Sequence, residues 1–192
     1  MSMARKLFRP GQGQVPARFA AFRLNGTAAY RGDVVMLDTT APGSQGASGV
    51  VDGKTLGAND FIYVVSTTLP ANEATIGQGA VAGVIEGKGV GDRNTTTALT
   101  DDGIVIVQVA GVHEQVWMSA NTGVAQWLAL ADSTSTLGAA RPIVGVGVTT
   151  LGGAQLSYLV GVILGTNATT GARAAVTNAN FCPVWIRCGD VV

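Results

Sequence analysis

Charge is scarce in this sequence: Asp, Glu, Lys and Arg make up 12% of 192 residues, about half the usual share for a soluble domain. So few charges solvate a large free surface poorly, so a partner, identical subunits or small neutral side chains must cover part of it. Cations and anions balance at 12 each. A nucleic-acid binder needs a cationic excess to displace counterions, so that class is not expected. Histidine occurs once and cysteine twice, too few for a His- or Cys-built zinc site. Cys182 and Cys188 lie roughly 20 Å apart if the segment between them is extended, beyond disulfide reach. Two free thiols from a reducing cytoplasm are the simpler reading. Asn25, Asn94 and Asn167 open glycosylation-type triplets that read as accidents of an Asn- and Thr-rich chain.

Membrane-spanning and secretory segments are not evident either. No apolar stretch follows the basic residues of 1–10, so no signal peptide is expected. Residues 143–164 are uncharged and long enough to cross a bilayer. They are interrupted by Gly152-Gly153, with apolar residues alternating at Leu156, Tyr158, Val160, Val162 and Leu164, a strand–turn–strand pattern.

What the chain does have is glycine, 27 residues of it, between short β-branched and aromatic runs. Those runs are 33–38, 61–66, 80–86, 103–109, 114–119, 125–130, 142–148, 155–164 and 183–187. Each is bounded by Gly, Asn, Asp or Pro, which predicts an all-β fold, a small antiparallel barrel or sandwich. Glycine inside nearly every apolar window disfavours helix by about 1 kcal/mol per residue. Short turns of helix are conceivable only at 69–75 and 123–131. Gly83, Gly145, Gly147 and Gly161 sit inside Val/Ile runs, pointing to bulges, tight corners or close backbone approach.

Six basic residues (Arg5, Lys6, Arg9, Arg18, Arg23 and Arg31) precede the first acidic one, Asp33. Residues 1–23 are therefore expected to form a basic N-terminal arm, either solvated or docked on an acidic partner. The barrel domain is assigned to 24–165 and a C-terminal extension to 166–192.

The raw material for catalysis is thin. His113 and Glu114 are consecutive in a strand and point to opposite faces, so His113 is expected as a surface or edge-strand residue. Asp101-Asp102 reads as turn chemistry without the ligand spacing of a calcium loop. Gly87-Lys-Gly-Val-Gly-Asp92 lacks the Ser or Thr after lysine that a phosphate loop requires. No serine sits in a nucleophile elbow. The expectation is a non-enzyme with no cofactor and no metal site. Trp117, Trp127 and Trp185 are core candidates by default, but a Trp on a sparsely charged surface is a natural interface anchor.

The order of segments resembles the decoration (cement) proteins of tailed-bacteriophage capsids. The resemblance runs from about residue 30 to 165. It rests on a basic polar opening, Gly32-Asp-Val-Val-Met-Leu-Asp38, Val81-Ala-Gly-Val-Ile-Glu86 and Val107-Gln-Val-Ala-Gly111. The Ile143–Val148 segment with its partner strand Leu159–Leu164 completes it. Residues 165–192 depart from the pattern. The resemblance implies a small barrel bound to the outer surface of an icosahedral shell, with the major capsid protein as partner. It also implies a homo-oligomer, with a trimer favoured, located in the virion and assembled in the host cytoplasm, contacting neither nucleic acid nor membrane. Candidate contact residues are Arg5, Lys6, Arg9, Arg18 and Trp185. The alternatives are another virion component (tail-tube, head-fibre or minor capsid protein), a secreted bacterial surface module, or an enzyme built around His113 and Asp101-Asp102.

Overall fold

The computed structural model describes residues 16–24, 29–37, 49–51, 54–56, 64–67, 81–87, 99, 104–119, 128–131, 138–142, 159–165, 168–173 and 176–186. Among them there are twelve strands and no helix. They are β1 (Arg18–Leu24), β2 (Val34–Leu37), β3 (Gly49–Val51), β4 (Lys54–Leu56), β5 (Val64–Ser66) and β6 (Val81–Gly87). They continue with β7 (Ile104–Met118), β8 (Leu128–Ala131), β9 (Ala140–Pro142), β10 (Leu159–Ile163), β11 (Thr169–Arg173) and β12 (Val176–Ile186).

Ten strands form one sheet that closes on itself twice, and β3–β4 is a separate hairpin. The first circuit runs β1–β5–β2–β6–β7 and back to β1. The second runs β7–β9–β8–β10–β12 and back to β7. The all-β barrel is thus present, with antiparallel pairing throughout except β1–β5 and β7–β9, which are parallel. Closure removes free edges. Among the described residues only β11 has a single neighbour in the ten-stranded sheet.

The 15-residue strand β7 is the shared wall. Its first half pairs with β1 and β6, and its second half pairs with β12. The runs 103–109 and 114–119, expected as two strands, are therefore one continuous element bent at Gly111.

Two apolar cores follow from the two circuits. One gathers Phe22, Leu24, Val35, Ile85, Val105 and Val107. The other gathers Val34, Met36, Val84, Val116, Val160 and Val184, among others. Successive residues of β2 and β6 alternate between them: Val34 and Met36 face one core, Val35 the other. A strand walled by core on both sides needs no polar face. That is why Val34–Met36 and Val81–Glu86 read as unbroken buried runs rather than alternating ones.

Two boundaries drawn from sequence move. Residues 18–23, assigned to the arm, lie in β1, in register with β7 from Arg18↔Ala110 to Arg23↔Ile104. Phe22 and Leu24 supply the reason, because both need burial and the first core provides it. Within 166–192, assigned to an extension, β12 inserts between β7 and β10 and buries Cys182, Val184 and Ile186. The C-terminal segment completes the second circuit.

Gly161 meets its expectation of close approach: a Cβ there would collide with the carbonyl oxygen of Trp185. Gly145 and Gly147 lie outside the described residues, as do 69–75 and Cys188. Of 123–131, the described part (Leu128–Ala131) is strand. Cys182 is a free, buried thiol, and burial pushes its pKa up.

Candidate functional site

Two features stand out from the folded framework: an apolar row on the outer surface of the second circuit, and a charged cluster at its seam with the first.

The row follows from strand register. Val112 on β7 lies opposite Trp185 on β12, Trp185 opposite Val162 on β10, and Val162 opposite Leu128 on β8. Directly opposed residues share a sheet face with Cβ atoms about 5 Å apart. All four are partly exposed, Val112 at 38%. Pro183 and Leu164, also half-buried, flank the row and are linked by the Leu164 N–H donating to the Pro183 carbonyl at 2.9 Å. The only described charge beside it on β7 is the exposed Glu114. A contiguous apolar strip on an outer face marks an interaction surface more often than a solvated one.

The seam cluster is built around the turn Tyr30–Asp33. The Asp33 N–H donates to the Tyr30 carbonyl at 3.1 Å, and the Tyr30 N–H donates to Asp33 Oδ2 at 3.0 Å. Gly32, with φ of 91°, occupies the position of a type II turn that demands positive φ. A Cβ there would also strike the Gln115 carbonyl. The turn is pinned on both sides. The Gly32 N–H donates to Ile85 of β6 at 2.9 Å, and the Trp117 N–H of β7 donates to the Gly32 carbonyl at 2.8 Å.

Around this turn the fold collects charge that the sequence scatters. Arg31 donates to Gln115 Oε1 at 2.6 Å, a partly buried contact, and to Glu86 Oε2 at 3.3 Å, a buried one. His113, 1% exposed, holds Nε2 3.2 Å from the same Glu86 oxygen but makes no hydrogen bond through it. Its Nδ1 accepts the Gln115 N–H at 3.2 Å, which leaves the proton of the neutral ring on Nε2. Arg173, from β11, grips the fully buried Asp33 through Nε and Nη2 at 2.8 and 2.7 Å. Its guanidinium lies 3.5 Å from the Trp117 ring centroid and 4.7 Å from that of Tyr30. Burial pushes the Asp33 carboxyl up to about 6, against the pull of Arg173 and the Tyr30 N–H. Beside Arg173 opens a pocket of about 170 Å³, lined by Trp117, Met118, Ser119, Asn178 and Asn180.

The expectation for His113 is corrected. It is not a surface residue, because its partner is Glu86 on the neighbouring strand β6 and not the adjacent Glu114, which is exposed. Of the five contact candidates, Arg18 and Trp185 are described and Arg5, Lys6 and Arg9 lie outside the described residues. The fold brings Arg18 and Trp185 to neighbouring positions on β7, opposite Ala110 and Val112. Asp101-Asp102 and residues 88–92 also fall outside. No group of three or more potential metal-ligating side chains occurs among the described residues. Among them, no helix is long and apolar enough to cross a membrane, which does not bear on strands.

Asp33, Glu86 and Arg173 were not singled out from sequence. Gly32-Asp33 carries a turn signature that could have flagged the first, but nothing local marks the other two. Compared with protein-family models, with characterised proteins and with solved structures, the chain gives no match.

Proposed function

We propose that this protein is a virion structural component that binds the outer surface of an icosahedral phage shell and stabilises it. Its partner is the major capsid protein; nucleic acid and membrane are not contacted. The copies act as a homo-oligomer, a trimer by preference, at the capsid surface after assembly in the host cytoplasm, and the role is not enzymatic.

The observation that carries this reading is the half-exposed row Val112–Trp185–Val162–Leu128 on the outer face of a closed framework. A tryptophan flanked by aliphatic residues and little charge suits a broad neutral contact with a large protein surface. Low charge density across the chain fits the same kind of contact. A cement protein works by binding the mature shell alone. Occupancy then stabilises that state by about 2.7 kcal/mol per site at a hundredfold excess over Kd. Repeated over many identical sites, modest affinity suffices.

The test is to incubate purified protein with capsid shells lacking it and image them by cryo-electron microscopy. Regular density at symmetry-related outer sites, contacted through the Trp185 face, supports the reading. Bare shells, or density confined to a tail, would transfer the protein to another virion role.

A further inference from the structure

Arg173 is held as a ligand-binding guanidinium is held. Its Nε/Nη2 edge is fixed by both oxygens of the buried Asp33 at 2.8 and 2.7 Å. Its planes are restrained by the rings of Trp117 and Tyr30. Such a fork has little freedom left to lose when it binds, which favours affinity through preorganisation. Two of the five N–H donors of an arginine are on Nη1. No hydrogen bond to Arg173 Nη1 occurs among the described residues, and Nη1 is not a buried, unsatisfied atom. Arg173 is one of the residues lining the adjoining pocket.

The remaining polar wall of that pocket is rich in donors. Ser119 follows the end of β7, and Asn178 and Asn180 lie on β12. Their side chains make no hydrogen bond among the described residues. At about 170 Å³ the pocket is smaller than the roughly 300–1,000 Å³ typical of drug-sized ligand sites. It fits a small head group on a short stem. A cationic edge, amide and hydroxyl donors and a small volume together specify a small planar monoanion. Asp33 already neutralises part of the charge of Arg173, so a dianion such as phosphate is disfavoured.

We propose that this pocket binds a carboxylate, received end-on by Arg173 Nη1 and flanked by Ser119, Asn178 and Asn180. The proposal is independent of the capsid reading. The carboxylate can belong to an acidic side chain of a partner protein or to a small free acid; both present the same head group.

The experiment uses the full ¹⁵N-labelled chain, titrated with sodium acetate at constant ionic strength against a sodium chloride reference. The signals followed are the side-chain amides of Asn178 and Asn180 and the indole N–H of Trp117. Saturable shifts with Kd of about 1–30 mM are expected, the range of a single charge-assisted contact. Asn180→Leu fills the pocket without touching the Arg173–Asp33 pair. It should weaken acetate binding at least about tenfold, a loss of ~1.4 kcal/mol, with thermal stability retained. A peptide bearing one glutamate that binds at least about tenfold tighter than acetate assigns the site to a protein partner, and equal affinity assigns it to a free acid. Absence of saturation up to about 200 mM, shifts unaffected by Asn180→Leu, or tighter binding of phosphate than of acetate would each overturn the assignment.

Discussion

Arg173 and Asp33, 140 residues apart in sequence, are joined by two parallel hydrogen bonds of 2.8 and 2.7 Å. The pair ties β11, among the described residues the one strand of the main sheet with a single neighbour, to the turn at the seam of both circuits. The rings of Trp117 and Tyr30 complete the clamp. The carboxyl is fully buried and the guanidinium side chain 13% exposed, so water does little to screen the contact.

Removing one member leaves the other buried and uncompensated. Arg173→Ala should destabilise the fold by about 3–5 kcal/mol. Urea denaturation of wild type and variant checks this, and a loss under about 1 kcal/mol would show the pair to be an ordinary surface contact.

Asp33 also makes stability depend on pH in a direction opposite to the usual carboxylate. Its folded pKa of about 6 lies above the ordinary aspartate value of 3.8, so the folded state holds the proton more tightly than the unfolded chain. Its contribution is complete below about pH 4 and is lost as pH rises through 6, by on the order of 3 kcal/mol. Unfolding free energies of wild type and Asp33→Asn at several pH values between 4 and 7.5 isolate the effect. Wild type should lose stability relative to the variant as pH rises; parallel curves would refute a raised pKa.

Gly161 admits no side chain. A Cβ would collide with the Trp185 carbonyl between paired strands β10 and β12, where neither backbone can retreat without breaking the ladder. Gly161→Ala is expected to cost about 2–4 kcal/mol, the range of severe core overpacking. A fall in Tm of less than about 3 °C would show that the ladder yields instead.

Trp185 separates binding from folding. It is half-buried on the outer face, so Trp185→Ser should leave the far-UV spectrum unchanged and cost about 1–2 kcal/mol of stability. Loss of an interface anchor is worth at least about 2 kcal/mol, so affinity for capsid shells should drop roughly 30-fold or more. Co-sedimentation with shells measures it, and unaltered binding would remove the row from the contact.

Much of the strand inventory was legible because burial leaves a local mark. Val34–Leu37, Val81–Gly87 and the start of β7 are β-branched runs bounded by turn residues. β1 and β11 were missed for a physical reason. Arg18–Leu24 has alanines and arginines between its apolar residues, and Thr169–Arg173 is a mostly exposed outer strand. Neither needed the apolar pattern that announces a strand. The runs 103–109 and 114–119 read as separate because Gly111 and the polar His113 interrupt the apolar pattern between them. In the fold Arg31 donates to the Gln115 side chain and His113 Nδ1 accepts the Gln115 N–H, so β7 runs through unbroken.

The sequence by itself determined the β class, the sparse charge and the scarcity of histidine and cysteine, since composition and period-two patterning act within a few residues. Tertiary structure alone decided that the sheet closes twice around β7 and that Trp185 stands in a row with Val112, Val162 and Leu128. It alone decided that Arg173 meets Asp33. Those outcomes depend on strand register between segments up to 140 residues apart, and register is set by which faces find a core, not by any local preference of the chain.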